Sequence, residues 1–134
     1  MKNPNRRQWL KALFGAGAAL FLPPAARSSS RRRLLQESPL AGFNYHAGER
    51  LWAAFYVGAP LSLVREPKNP HDERAVAVHF AGARIGYVPR MENTAVAQLL
   101  DRGERLTARI VGLCESTDPW QRLRLAVDWE PPYT

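Results

Sequence analysis

The chain has one cysteine, Cys114, in 134 residues. A single thiol excludes an internal disulfide and any zinc site built on several sulfurs. Histidine is nearly as scarce. His46, His71 and His79 lie at no spacing that a metal-binding helix or loop uses. There is no Gly-x-x-x-x-Gly-Lys loop to cradle a nucleoside triphosphate, and no Gly-x-Ser-x-Gly elbow to present a nucleophilic serine. These absences exclude the common ATPase, hydrolase and metalloenzyme designs. They predict no cofactor and no catalytic residue, and they direct attention to binding. Cys114 ends the apolar run Ile110-Val111-Gly112-Leu113-Cys114 and is expected to be a buried structural thiol.

Acidic residues are missing from one region. Residues 1–33 hold eight of the nineteen basic residues and none of the acids, leaving eleven basic residues against all twelve acids in the remainder, a net of −1. The formal charge of +7 therefore belongs to the N-terminal leader. A nucleic-acid site in the folded part must be a local patch.

Asn5-Arg6-Arg7-Gln8-Trp9-Leu10-Lys11 resembles the bacterial twin-arginine export motif, with Asn5 and Trp9 in place of the usual Ser or Thr and Phe. Ala12–Leu22 follows, eleven residues without charge, which fits a signal-peptide core and is too short to span a bilayer. Pro23-Pro24 end it. Residues 1–28 are expected to be an export signal that engages the export machinery, cleaved or retained as an anchor. That places the protein outside the cytoplasm, periplasmic or held at the membrane by its N-terminus. If the leader is not functional, it is a short helix opening a cytoplasmic domain. Residues 29–37, rich in Ser and Arg, read as a disordered basic linker, and residues 38–131 as the folded domain.

Within that domain no repeat is found. Leu40–Tyr45 reads as a first strand, and Leu51–Val57 is ambiguous between strand and helical turn. Leu61–Arg65 is a strand entering a polar loop, Glu66–Arg74, that contains Pro67 and Pro70. Ala75–Phe80 and Arg84–Val88 form the clearest hairpin, joined through Ala81-Gly82-Ala83. Apolar residues at Met91, Ala95, Val96, Leu99 and Leu100 predict a helix that starts near Asn93 or Thr94 and closes at Gly103. Glu104–Cys114 and Leu123–Trp129 complete the strands. Gly42 and Gly86 suggest bulges or close backbone approach. Five or six strands and one helix predict a mainly β (α+β) domain, a small, partly open, OB-like or SH3-like antiparallel barrel with the helix at one end.

These segments, in this order, resemble the HIRAN domain. The motifs are Gly42-Phe43-Asn44-Tyr45, Leu63-Val64-Arg65-Glu66-Pro67, Asn69-Pro70-His71-Asp72, Ala75-Val76-Ala77-Val78, Ile85-Gly86-Tyr87-Val88-Pro89-Arg90 and Leu99-Leu100-Asp101-Arg102-Gly103. The resemblance implies a modified OB-like barrel. In the eukaryotic repair proteins of the family this barrel binds single-stranded DNA and captures a free 3′ end. By resemblance, Asn44-Tyr45 and His71-Asp72 occupy the end-binding pocket. Asn44 stands where the family carries arginine, His71 where it carries tyrosine, and Glu73 where lysine is frequent. Zinc and ATPase chemistry belong to separate domains of the larger relatives.

The residues allow the same chemistry on their own account. An ionised Asp72 accepts a hydrogen bond from a terminal hydroxyl, or it folds back as a loop cap. Tyr45, His71 and Tyr87 stack on bases, or they are respectively barrel-mouth, solvated and structural residues. Arg65, Lys68, Arg74 and Arg90 flank the loop and can meet phosphates, and Asn44 and Asn69 can donate to phosphates or base edges. The expected function is a non-catalytic nucleic-acid-binding module that takes single-stranded DNA or its 3′ end. The alternative is an exported barrel that binds a peptide or an envelope component.

Overall fold

The structure, a computed structural model, describes residues 31–132. The expected export signal lies outside the described residues. From Arg33 onward the chain forms six antiparallel strands in the order β1-β6-β5-β2-β3-β4. They are β1 (Arg33–Pro39), β2 (Pro60–Glu66), β3 (Ala75–Phe80), β4 (Ala83–Tyr87), β5 (Arg105–Leu113) and β6 (Leu123–Glu130). One short helix, α1 (Gly48–Leu51), lies between β1 and β2, and a longer one, α2 (Thr94–Asp101), lies between β4 and β5.

The expected mainly β, OB-like architecture is the one observed, and β2 gives it curvature. Pro60 and Leu61 pair with Arg109 and Ala108 of β5, while Ser62–Glu66 pair with β3. One strand thus serves two half-sheets, and the surface rolls toward closure. The seam is closed by a bridge between Ala41 and Tyr87, whose N–H groups each donate to the other's carbonyl at 2.9 Å. Gly86 permits it, because a Cβ there would lie 2.4 Å from the Ala41 carbonyl oxygen. The sequence-based reading of Gly86 as a close-approach residue therefore holds. Leu40, Phe43, Val76, Val78, Ile85, Ile110, Leu125 and Val127 fill the interior, and Val96 and Ala97 of α2 join them.

Three readings need correction. The first strand is Arg33–Pro39, so the expected linker is structured from Arg33 onward. A register shift between Leu34 and Gln36 breaks the alternation that would have marked it. Phe43–Tyr45 is not strand but a 3-10 turn, because Gly42 (φ 74°) reverses the chain. Cys114 is exposed. A register shift between Ile110 and Gly112 changes which residues of β5 face inward, and Cys114 falls just past the strand's end.

Candidate functional site

The loop after β2 is a staircase of three turns. The Glu66, Asn69 and Asp72 carbonyls accept from the N–H groups of Asn69, Asp72 and Ala75 at 3.1, 3.3 and 3.1 Å. Pro67 and Pro70 preset φ for such turns. Two side chains brace the steps: Asn69 Oδ1 accepts the His71 N–H at 2.8 Å, and Asp72 Oδ1 accepts the Arg74 N–H at 2.9 Å. Glu66 anchors the loop to the sheet. Its Oε1 accepts from Asn69 Nδ2 at 3.0 Å and from the Tyr87 hydroxyl at 2.8 Å, and its Oε2 accepts from Arg84 Nη1 at 3.1 Å.

Opposite the loop runs the turn that Gly42 begins. His46 sits edge-on to Tyr87 with ring centroids 5.5 Å apart. Between loop and turn lies a cavity of about 540 Å³. Tyr45, His46 and Tyr87 give it aromatic surface, Ala41, Ala75 and Val88 line it with apolar atoms, and Asn69, His71, Asp72 and Arg90 supply polar groups. Tyr45 is 80% exposed, so most of its ring faces solvent at the mouth. It also borders a second hollow of about 310 Å³, shared with Gly42, Asn44 and Trp120. Trp120 is 51% exposed, on a turn whose start is capped by Asp118.

The cavity's titratable groups are tuned in opposite directions. Burial opposes ionisation of Asp72. The Arg74 N–H, the Asn93 amide and the charges of Arg90 and Arg74 outweigh it and hold the carboxyl below the usual aspartate range. Burial likewise opposes Glu66, and bonds from Asn69, Tyr87 and Arg84 overcome it, so its pKa is also lowered. Burial, helped by Arg84 and opposed by Glu66, pushes His46 down and favours the neutral ring at neutral pH. Tyr87 is pushed up by burial and by its bond to Glu66. The site therefore offers aromatic surface, an ionised carboxylate and one flanking guanidinium, Arg90.

The residues singled out from sequence divide clearly. Tyr45, Asn69, His71, Asp72, Tyr87 and Arg90 line the cavity together. Asn44 lines the adjoining hollow. Arg65 is engaged outside the cavity: it donates to Asp101 at 2.9 and 3.1 Å and to the Ala75 carbonyl at 2.9 Å. Asn69 is engaged within the loop through both ends of its amide. Lys68 and Arg74 are exposed and do not line the cavity, although the Arg74 charge acts on Asp72. Asp72 is a loop cap, as one reading had it. An ionised carboxylate has about four acceptor positions, so sites remain for a guest.

Sequence reasoning missed Glu66, Arg84, His46, Asn93 and Trp120 as parts of the site. Trp120 carried a usable signal, since a tryptophan in the polar stretch Asp118-Pro119 has no core to enter.

The described residues thus form an OB-like barrel with an open, aromatic-edged cavity at one loop. The HIRAN domain model matches residues 34–130, and the chain belongs to that family. A protein from Lactobacillus plantarum, structural-genomics target LpR91B, has a similar crystal structure, with a TM-score of 0.64 and 28% identity over 73% of this chain and 94% of that one. The crystal structure of the HIRAN domain of human HLTF is similar with a TM-score of 0.57 and 17% identity, over 75% of this chain and 79% of that one. No curated protein matches.

Proposed function

We propose that this chain is a non-catalytic nucleic-acid-binding module that holds the 3′ end of a single strand in the cavity between the 66–74 loop and the Phe43–His46 turn. The observation that carries this reading is the meeting of Tyr45, His71 and Asp72 in one open cavity. Each supplies what a terminal nucleotide needs. Tyr45 and His71 offer faces for a base, and such stacking contributes about 1–3 kcal/mol per base. Asp72, held ionised, accepts the terminal hydroxyl. Tyr45 and Trp120 flank the adjoining hollow, which suits the next base. The module supplies little bulk positive charge, so stacking and the hydroxyl bond carry more of the affinity than phosphates do.

Fluorescence anisotropy of the full chain with a labelled oligothymidylate tests this directly. A free 3′-hydroxyl is expected to bind at least about tenfold more tightly than a 3′-phosphate, because Asp72 repels the added charge. Tyr45→Ala is expected to weaken binding about tenfold or more while leaving thermal stability within about 0.5 kcal/mol. Equal affinity for both ends removes the end-capture reading. No binding to either favours the other candidate, a barrel that takes a peptide or an envelope component.

A further inference from the structure

We propose that Asn93 is the positioning residue of the cavity's carboxylate, fixing from the start of α2 the orientation in which Asp72 meets a guest hydroxyl. This rests on the function proposed above. Asn93 is fully buried. It stands at the N-cap of α2, where an asparagine side chain ordinarily accepts a helix N–H, but here it makes no such bond. Its backbone (φ −96°, ψ −4°) is already helical rather than extended, so the usual capping geometry is not available. Its Oδ1 has no hydrogen-bond partner among the described residues. A buried amide in this state has lost its hydration and gained no cap. What it has is one bond, Nδ2 donated to Asp72 Oδ2 at 2.7 Å, across 21 residues of sequence.

That bond complements the turn. Asp72 Oδ1 is held by its own loop, through the Arg74 N–H at 2.9 Å. Asn93 holds Oδ2 from the helix. With both oxygens pinned, the plane of the carboxylate is set by two elements, and the remaining lone pairs are fixed in direction.

Replacing the donor with an acid separates positioning from simple packing. In Asn93→Asp two carboxylates meet at about the same distance and share one proton until the pH rises. The probe is a fluorescein-labelled oligothymidylate with a free 3′-hydroxyl. Asn93→Ala is expected to bind it about tenfold more weakly than wild type at neutral pH. Asn93→Asp is expected to match wild type near about pH 5, where the shared proton replaces the amide donor, and to weaken about tenfold by about pH 8. His46 and His71 line the same cavity, and Arg74 and Arg90 act on Asp72 by their charge. All four are common to both proteins, so the difference between the two pH profiles belongs to the new pair. Parallel profiles overturn the proposal.

A second measurement needs no ligand. The Asp72 carboxyl carbon, followed by NMR titration, is expected to move to higher pKa in Asn93→Ala and higher still in Asn93→Asp. An unmoved titration in either folded variant overturns the assignment. Failure of wild type to bind the oligonucleotide defeats the proposed function instead, and the titration then decides the role of Asn93.

Discussion

Two clusters of arginine, glutamate and aromatic rings draw on the same short stretch of chain, and they end in opposite states. In one, Arg122 lies over Trp52 at 4.2 Å and over Phe43 at 4.8 Å, while its guanidinium pairs with Glu49. Trp52 packs edge-on against Phe43 at 5.8 Å and donates its indole N–H to Glu115 at 2.8 Å. In the other, Arg84 reaches Glu66 and the Tyr87 hydroxyl, Tyr87 meets His46, and the ring of Tyr45 stays outside. The same three residue types make a closed clamp in one place and an open receptor in the other. The difference is how much ring surface is left over. Arg122 lies over both rings of its cluster and is only 15% exposed; Arg84 lies over Tyr87 at 5.6 Å and pairs with Glu66, while Tyr45 stays 80% exposed. Aromatic residues near arginine are thus no sign of a binding site until the ring faces are shown to be free.

The largest test of this contrast is steric. Gly86 supports the receptor's seam and Gly48 the clamp. A Cβ at Gly86 would meet a backbone oxygen at 2.4 Å, whereas one at Gly48 would meet the Phe43 ring at 2.6 Å. Gly86→Val is expected to lower stability by about 3 kcal/mol or to prevent folding, and Gly48→Ala to lower it by about 1–3 kcal/mol, because a ring can shift and a hydrogen-bonded carbonyl cannot. Thermal denaturation by circular dichroism ranks the two. A reversed order would mean that the clamp, not the seam, holds the barrel.

The arginines give a smaller and cleaner contrast. Arg122→Ala removes packing between two rings and is expected to cost about 1–2 kcal/mol. Arg84→Ala removes a half-exposed ion pair and is expected to cost less than about 1 kcal/mol. In urea denaturation the two midpoints should separate. Oligonucleotide affinity should follow the opposite order, falling for Arg84→Ala and unchanged for Arg122→Ala.

The smallest effect is in acid. The Glu66 carboxyl is held below its ordinary 4.5, so its ionised form stabilises the fold above that value. The contribution disappears as pH falls through the lowered value. Glu66→Gln lacks this limb. The gap between wild type and Glu66→Gln should be under about 1 kcal/mol at neutral pH and should close as pH falls through the lowered value, as read from melting temperatures across pH. A gap that stays constant with pH would mean that Glu66 acts through shape alone.

The hairpin of β3 and β4 was legible almost to the residue, because Ala75–Phe80 is apolar and a short Gly-containing link follows it. The loop was equally legible, since its proline and Asx chemistry is written in consecutive residues. His71 and Asp72 were read from that loop, and Tyr45 was joined to them by the family resemblance. The residues that organise them were not. Asn93 meets Asp72, and Tyr87 meets Glu66, each across 21 positions. No periodicity announces such a pairing. The partner of Arg65 was hidden for the same reason: Asp101 lies 36 residues away at the end of α2. Strand β1 and Cys114 were misread because register shifts offset the alternation on which strand reading depends.

The pairing of Arg33 with Trp129 has a mechanical consequence. The first and last strands run antiparallel and side by side, so the described chain enters and leaves at the same end of one ladder. Tension applied between those ends would unzip β1 from β6 rung by rung, starting at that pair, instead of shearing many bonds at once. Once β1 is free, the load passes along the chain to Ala41 and its bridge to Tyr87, so the cavity's seam is the next element to feel it.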